Sequence, residues 1–197
     1  MAGLALAWAG TIALAAGPTE AAAATVEDAL WDLLRSGAHV ILMRHTATDV
    51  AAGFDPPGFR LDDCASQRNL SPLGRDEARG IGAAFRARRI PVGLVRSSRW
   101  CRCLDTARLA FGRVEAWPAL DSFGPDAARG EDQTEQVRQV AGQRPAGGNA
   151  ILVTHEVNIT VLTGLRPQPG EMIILTAGGD GGFRVAGRLA LSVRLTP

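Results

Sequence analysis

The chain has 197 residues, 46% of them hydrophobic, enough for one ordinary domain with a genuine core. Its 21 basic and 20 acidic side chains nearly cancel to +1, and the basic ones are spread along the chain rather than gathered into a stripe, which argues against a nucleic-acid partner. Lysine and tyrosine are both absent, so a lysine Schiff base, a P-loop lysine and a tyrosine nucleophile are excluded.

Residues Met1 to Ala24 are mostly Ala, Leu, Gly and Ile, and end in the run Ala21-Ala22-Ala23-Ala24. They read as a secretory signal peptide: the apolar part, Leu4 to Ala16, is shorter than the ~20 residues a bilayer span needs, and the small-residue run supplies an A-x-A-like cleavage site. No Lys or Arg precedes the apolar run, which departs from the usual pattern. The expected organisation is therefore a leader over 1–24 and one domain over 25–197, in the periplasm or secreted, with no membrane span.

From Val26 a helix is expected, with Val26, Leu30, Leu33 and Leu34 on one face and Gly37 as its stop. His39-Val-Ile-Leu-Met43 is a continuous apolar run that suits a strand buried on both faces, so Arg44 and His45 fall at its C-terminal end, where open α/β sheets bind ligands. The polar stretch Thr46 to Asn69 is too long for a plain connector. Ser71-Pro72 caps a helix that carries Ala78, Ile81, Ala84 and Phe85 to Arg89. Val92 to Val95 is a second strand, followed by a helix from about Arg99 to Phe111 and a short strand at Val114 to Trp117. The segment Asp121 to Gly130 reads as irregular, and Glu131 to Val140 as helical. Asn149 to Thr154 is a buried strand ending in His155, followed by a short helix at Asn158 to Thr163. A strand at Met172 to Leu175 and a hairpin near Phe183 to Val193 close the chain. Alternating strands and helices imply an α/β fold, a three-layer αβα sandwich with a mainly parallel central sheet.

The cysteines, Cys64, Cys101 and Cys103, lack metal-site spacing. In an exported protein Cys64 can pair with Cys101 or with Cys103, leaving one thiol over; otherwise all three are ordinary buried thiols.

Two of three histidines, His45 and His155, end apolar strands and should reach one rim of the sheet. Arg44 sets a guanidinium beside the first, and Arg102 lies early in a helix after a strand. Together they outline an anion pocket. His39 has no partner pattern and reads as structural or exposed, and Arg86, Arg88 and Arg89 suit a helix C-terminus without a ligand.

Four segments then carry a family resemblance: Arg44-His45 after an apolar strand, the helix start Leu70-Ser-Pro-Leu-Gly-Arg75, the run Ser97-Ser98 to Arg102 followed by Asp105-Thr106-Ala107, and the strand end Val153-Thr-His155. In this order and spacing the chain resembles the histidine phosphatase (phosphoglycerate-mutase-like) superfamily, in its small-domain branch, over about Ala38 to Thr176. The resemblance implies a phosphomonoester hydrolase in which His45 becomes a phosphohistidine while Arg44, Arg102 and His155 bind the phosphoryl oxygens. It implies a small phosphorylated substrate and no cofactor or metal. His45 has to attack as neutral imidazole, its other nitrogen oriented by a backbone carbonyl. Two residues depart from the family pattern: Thr46 stands where Gly is usual, and Arg99 replaces a proline, adding a charge expected near the pocket mouth.

For the proton donor, Asp121 in Ala119-Leu-Asp-Ser-Phe-Gly124 is the nearest match to the branch's pattern, one residue short in its spacing to Phe123. Glu156, directly after the second histidine, is the placement of the other large branch, and Glu131 or a water remains. A non-catalytic phosphate-binding module of the same fold is the alternative from a different class, and a phosphomutase the alternative enzyme. Substrate identity and oligomeric state are not readable from the residues.

Overall fold

A computed structural model describes residues 18–191 apart from 50, 52 and 125. Most of the expected leader, 1–17, lies outside the described residues. Residues 18–24 form the first turns of helix α1, Pro18–Arg35, so the helix read as starting at Val26 begins upstream. Its buried face also differs from the expected one. Val26 is 62% exposed, while Trp31 joins Leu30 and Leu34 in the core. Trp31 is fully buried, and its ring meets Phe85 edge-on at 5.4 Å between centroids. Gly37 ends the helix at φ 72°, a conformation that glycine adopts without a Cβ clash.

The strands are β1 (Val40–Arg44), β2 (Val92–Ser97), β3 (Glu115–Ala116), β4 (Asn149–Thr154), β5 (Met172–Ala177) and β6 (Phe183–Leu189). They form one sheet in the order β3-β2-β4-β1-β5-β6. The pairs β3–β2, β2–β4 and β4–β1 are parallel, whereas β5 runs antiparallel to both β1 and β6. The closing hairpin is formed by β5 with β6, and 192–193 of the stretch read as a hairpin lie outside the described residues. Strands β1 and β4 carry unbroken apolar runs because both faces are covered. Ile41, Met43, Ile151 and Val153 pack beneath α1, α2 (Pro72–Ala87) and α3 (Cys101–Phe111). Val40, Leu42, Ala150 and Leu152 pack on the other face, against residues of α4 (Ala127–Ala141) and α5 (Glu156–Thr163). This is the expected three-layer αβα sandwich with a mainly parallel sheet.

Helix α2 starts where its cap signal places it, with the Ser71 hydroxyl accepting from the Gly74 amide. Helix α4 starts at Ala127, ahead of the expected Glu131, because the Asp126 side chain caps it by accepting from Arg129 N. Asn149 locks the far end of the sheet: its Nδ2 donates to Leu34 O at 2.8 Å and Pro91 O at 2.9 Å, and its Oδ1 accepts from His39 N at 3.2 Å. His39 itself is buried there, with ring contacts to Ser36 and Thr176. No helix among the described residues is long and apolar enough to cross a membrane.

Candidate active site

Register brings the two histidines together. In the parallel β1–β4 pair, Arg44 lies opposite Thr154, so the next residues, His45 and His155, leave the sheet side by side at its C-terminal rim. Their ring centroids are 5.6 Å apart with planes at 70°, and both residues are buried. His45 Nδ1–H donates to Thr46 O at 2.9 Å, which leaves the Nε2 lone pair free for attack. The carbonyl expected to orient the nucleophile is thus that of the next residue.

Thr46 has no positive φ, so glycine is not required there. Its amide donates to Thr106 Oγ1 at 3.2 Å, and that hydroxyl donates to Arg102 O at 2.7 Å. The nucleophile's segment is thereby tied to the helix that carries the second arginine.

Arg102 sits in the first turn of α3 and is 4% exposed. Its Nη1 donates to both oxygens of Asp55, at 2.9 and 3.0 Å, and its Nη2 is 3.5 Å from His155 Nδ1. The loop that supplies Asp55 is stapled to α3 by a Cys64–Cys101 disulfide, one of the two pairings the sequence allows. Cys103 is the thiol left over. Burial pushes it up to about 12, which keeps the sulfur protonated and unreactive although Sγ lies 3.6 Å from His155 Nε2.

Arg44, His45, Arg102 and His155 line one pocket of about 390 Å³. Arg68, Arg166, Asp55 and Glu156 line it too, so that four guanidiniums and two carboxylates give it a net charge of +2. Arg44 Nη1 pairs with Glu156 at 2.8 Å, and Arg166 Nε pairs with the other oxygen of the same carboxylate at 3.0 Å. Arg68 donates its backbone N–H to Asp55 and its Nη1 to Gly53 O. The Nε atoms of Arg44, Arg68 and Arg102 are all buried without a hydrogen-bond partner among the described residues. Unpaired buried donors are costly, but it is the four guanidiniums lining one pocket, against two carboxylates, that mark it as a site for an oxyanion.

The same surroundings hold both histidines neutral. Burial drives His45 down to about 3, against the opposing pull of the Thr46 carbonyl and with help from Arg102, Arg44 and Arg68. His155 lies well below the ordinary histidine value, again chiefly through burial and then through Arg102. Burial likewise lowers the Arg44 and Arg68 guanidiniums.

The two acids are separated. Glu156, 32% exposed at its side chain, lines the pocket from the first turn of α5. Asp121 is fully buried and is not among the lining residues. It follows a 3-10 turn at Pro118–Leu120 and accepts from Arg99 N at 2.8 Å and Arg99 Nε at 2.7 Å. Arg99 is thereby spent on Asp121 instead of charging the pocket mouth. Glu131, on α4, does not line the pocket either. Asp55, Arg68 and Arg166 were not singled out in the sequence. The length of the Thr46–Asn69 loop was the available signal for the first two, and Arg166 has none beyond its place after the left-handed cap at Gly164.

No protein-family model matches the sequence, and no curated protein is significantly similar to it. Solved structures are. The protein histidine phosphatase SixA complexed with tungstate is 16% identical, with 77% of this chain and 96% of that one covered at a TM-score of 0.53. Phosphoserine phosphatase from Entamoeba histolytica in complex with 3-phosphoglyceric acid is 14% identical over 78% and 97%, with a TM-score of 0.58. A mycobacterial glucosyl-3-phosphoglycerate phosphatase complexed with VO3 is 18% identical over 76% and 98%, with a TM-score of 0.54. The fold is that of the histidine phosphatases, the phosphoglycerate-mutase-like fold.

Proposed function

We propose that this chain is an exported phosphomonoester hydrolase of the histidine phosphatase superfamily that carries the phosphoryl group on His45. One observation carries the reading: Arg44, Arg68, Arg102 and Arg166 line one pocket with a neutral histidine whose Nδ1 is held by the Thr46 carbonyl, which leaves Nε2 as the nucleophile. Phosphoryl transfer spreads negative charge over the non-bridging oxygens, and fixed guanidiniums in a water-poor pocket meet that charge without reorganising.

In the first step His45 Nε2 bonds to phosphorus while the ester P–O bond breaks and the leaving oxygen takes a proton. Glu156 is the carboxyl that supplies it. Asp121 does not reach the pocket, and of the two carboxylates that line it Asp55 is the more committed and more buried, receiving Arg102, the Arg68 amide and the Trp100 indole N–H where Glu156 receives Arg44 and Arg166. In the second step water attacks phosphorus and gives a proton back to Glu156, the P–N bond breaks, and phosphate leaves with His45 neutral again.

Export is supported by the apolar, small-residue stretch at 1–24 and by the disulfide, a bond that persists in oxidising compartments. The activity is tested with p-nitrophenyl phosphate. The wild-type protein should release p-nitrophenol, and His45→Ala should lower the rate by at least about 10³-fold. Equal, negligible release from both would favour a module that binds phosphate without turning it over.

A further inference from the structure

The carboxylate that misses the pocket is connected to it through one hydroxyl. Ser98 Oγ lies 2.8 Å from His155 Nε2 and 3.2 Å from Asp121 Oδ1, and the Trp100 amide approaches it at 3.3 Å. A serine hydroxyl has one hydrogen and two acceptor sites. The Trp100 N–H fills one acceptor site. Asp121, bound by the Arg99 amide and guanidinium, offers only lone pairs to Ser98, so the hydroxyl hydrogen goes to Oδ1. The remaining acceptor site faces His155 Nε2, which must therefore carry a hydrogen. All three atoms are buried, where a misdirected hydrogen bond is expensive.

We propose that Asp121 is a positioning residue that acts through Ser98 to hold His155 as its Nε2–H tautomer, leaving Nδ1 to face the phosphoryl oxygens. The catalytic consequence rests on the phosphatase reading, but the tautomer does not. Nδ1 lies 3.5 Å from Arg102 Nη2, on the ring edge that meets the pocket arginine. There it accepts the hydrogen of a P–OH group, or takes that proton and donates it back to the dianion as imidazolium. One proton is shared either way, and Asp121 stabilises the ring charge through Ser98, as a third group orients the histidine of a hydrolytic triad. Other charged or titratable groups around His155 are Arg102 and Cys103 on α3, Arg44 and His45 at the end of β1, Arg68 and Asp55 on the loop, and Glu156 on α5. The four arginine and histidine groups among them that lower its proton affinity in the empty site are opposed by the incoming oxyanion. Because the bound state keeps one proton, kcat/KM should decline above the second pKa of the ester, about 6.

The test uses Ser98→Ala and Asp121→Asn in the full chain, with nitrogen-15 NMR of the histidine rings and pH profiles of kcat/KM for p-nitrophenyl phosphate. In the wild type His155 should show Nε2–H. Both variants should lose that tautomer and drop kcat/KM about 10²-fold, while the basic limb, set by the free ester, stays in place. If Asp121→Asn fails to fold by circular dichroism, Ser98→Ala decides alone. An unchanged His155 tautomer overturns the proposal whatever happens to activity, as does kcat/KM within twofold of wild type. Should the wild type show no turnover, the phosphatase reading fails, while the tautomer and the pH dependence of orthovanadate binding still decide the role of Asp121.

Discussion

The two walls of the pocket are built on different principles. One wall is the sheet rim, where His45 and His155 are set by the register of two central parallel strands whose other residues are almost wholly buried. The other wall is the loop over residues 46–69, which supplies Asp55 and Arg68 and is held by a disulfide, by Gln67 Oε1 accepting from Cys101 N at 2.9 Å, and by Asp55 on Arg102. Phe54, beside Asp55 on the same wall, is 90% exposed. On the proposed reading, chemistry belongs to the wall fixed by strand register and recognition to the wall fixed by side-chain and disulfide ties.

Arg102 belongs to both walls, so it is the sharpest place to break the distinction. Arg102→Lys keeps the charge but loses the fork that reaches Asp55 and His155 together. A loss of about 10²–10³ in kcat/KM is expected, and a loss under fivefold would mean the two walls do not depend on a shared residue. Glu156→Gln probes the rim side next. With p-nitrophenyl phosphate, whose leaving group needs little protonation, the rate should change only a few-fold, whereas with an alkyl phosphate it should fall about 10²-fold. Equal effects on both substrates would remove Glu156 as the proton donor.

Cys64→Ser addresses the loop wall alone. The bond closes a separation of 37 residues, and its loss should cost up to about 3–4 kcal/mol of stability. KM should rise roughly tenfold with kcat less affected, because the loop positions substrate-facing groups and not the nucleophile. A fall in kcat at constant KM would reverse the assignment of roles.

A further effect is on acid stability. The folded state holds His45 near 3 while an unfolded chain binds the proton at about 6.5, so between those values the unfolded state carries more protons. Stability is therefore complete above about pH 6.5 and declines as pH falls, by up to about 1.4 kcal/mol per pH unit for each such group. Thermal unfolding followed from pH 7 to 4 should show a shallower decline in His45→Ala than in the wild type.

How much of this was legible in the residues follows the same division. Arg44, His45 and His155 could be placed because each stands where a continuous apolar run stops, and Arg102 because a helix opens after a strand. The sandwich followed from the alternation of those runs. The upstream turns of α1 were not legible, since the alanines of 18–25 carry no apolar face to detect, and Trp31 displaced Val26 from the core through packing with Phe85. Asp121 could be picked out as special but not assigned a direction, because its partners, Ser98 and Arg99, lie more than twenty positions away. Asp55 and Arg68 gain their roles only when the loop folds back on α3, a long-range event that no local pattern records.

The central claim is that the phosphoryl group passes through His45 Nε2. Rapid mixing of enzyme with a phosphorylated substrate, followed by an alkaline quench and digestion, should recover a phosphoryl group on the peptide containing His45, stable to base and released by acid. A phosphoryl group stable to acid, one on another residue, or turnover at full rate with none formed would contradict the account.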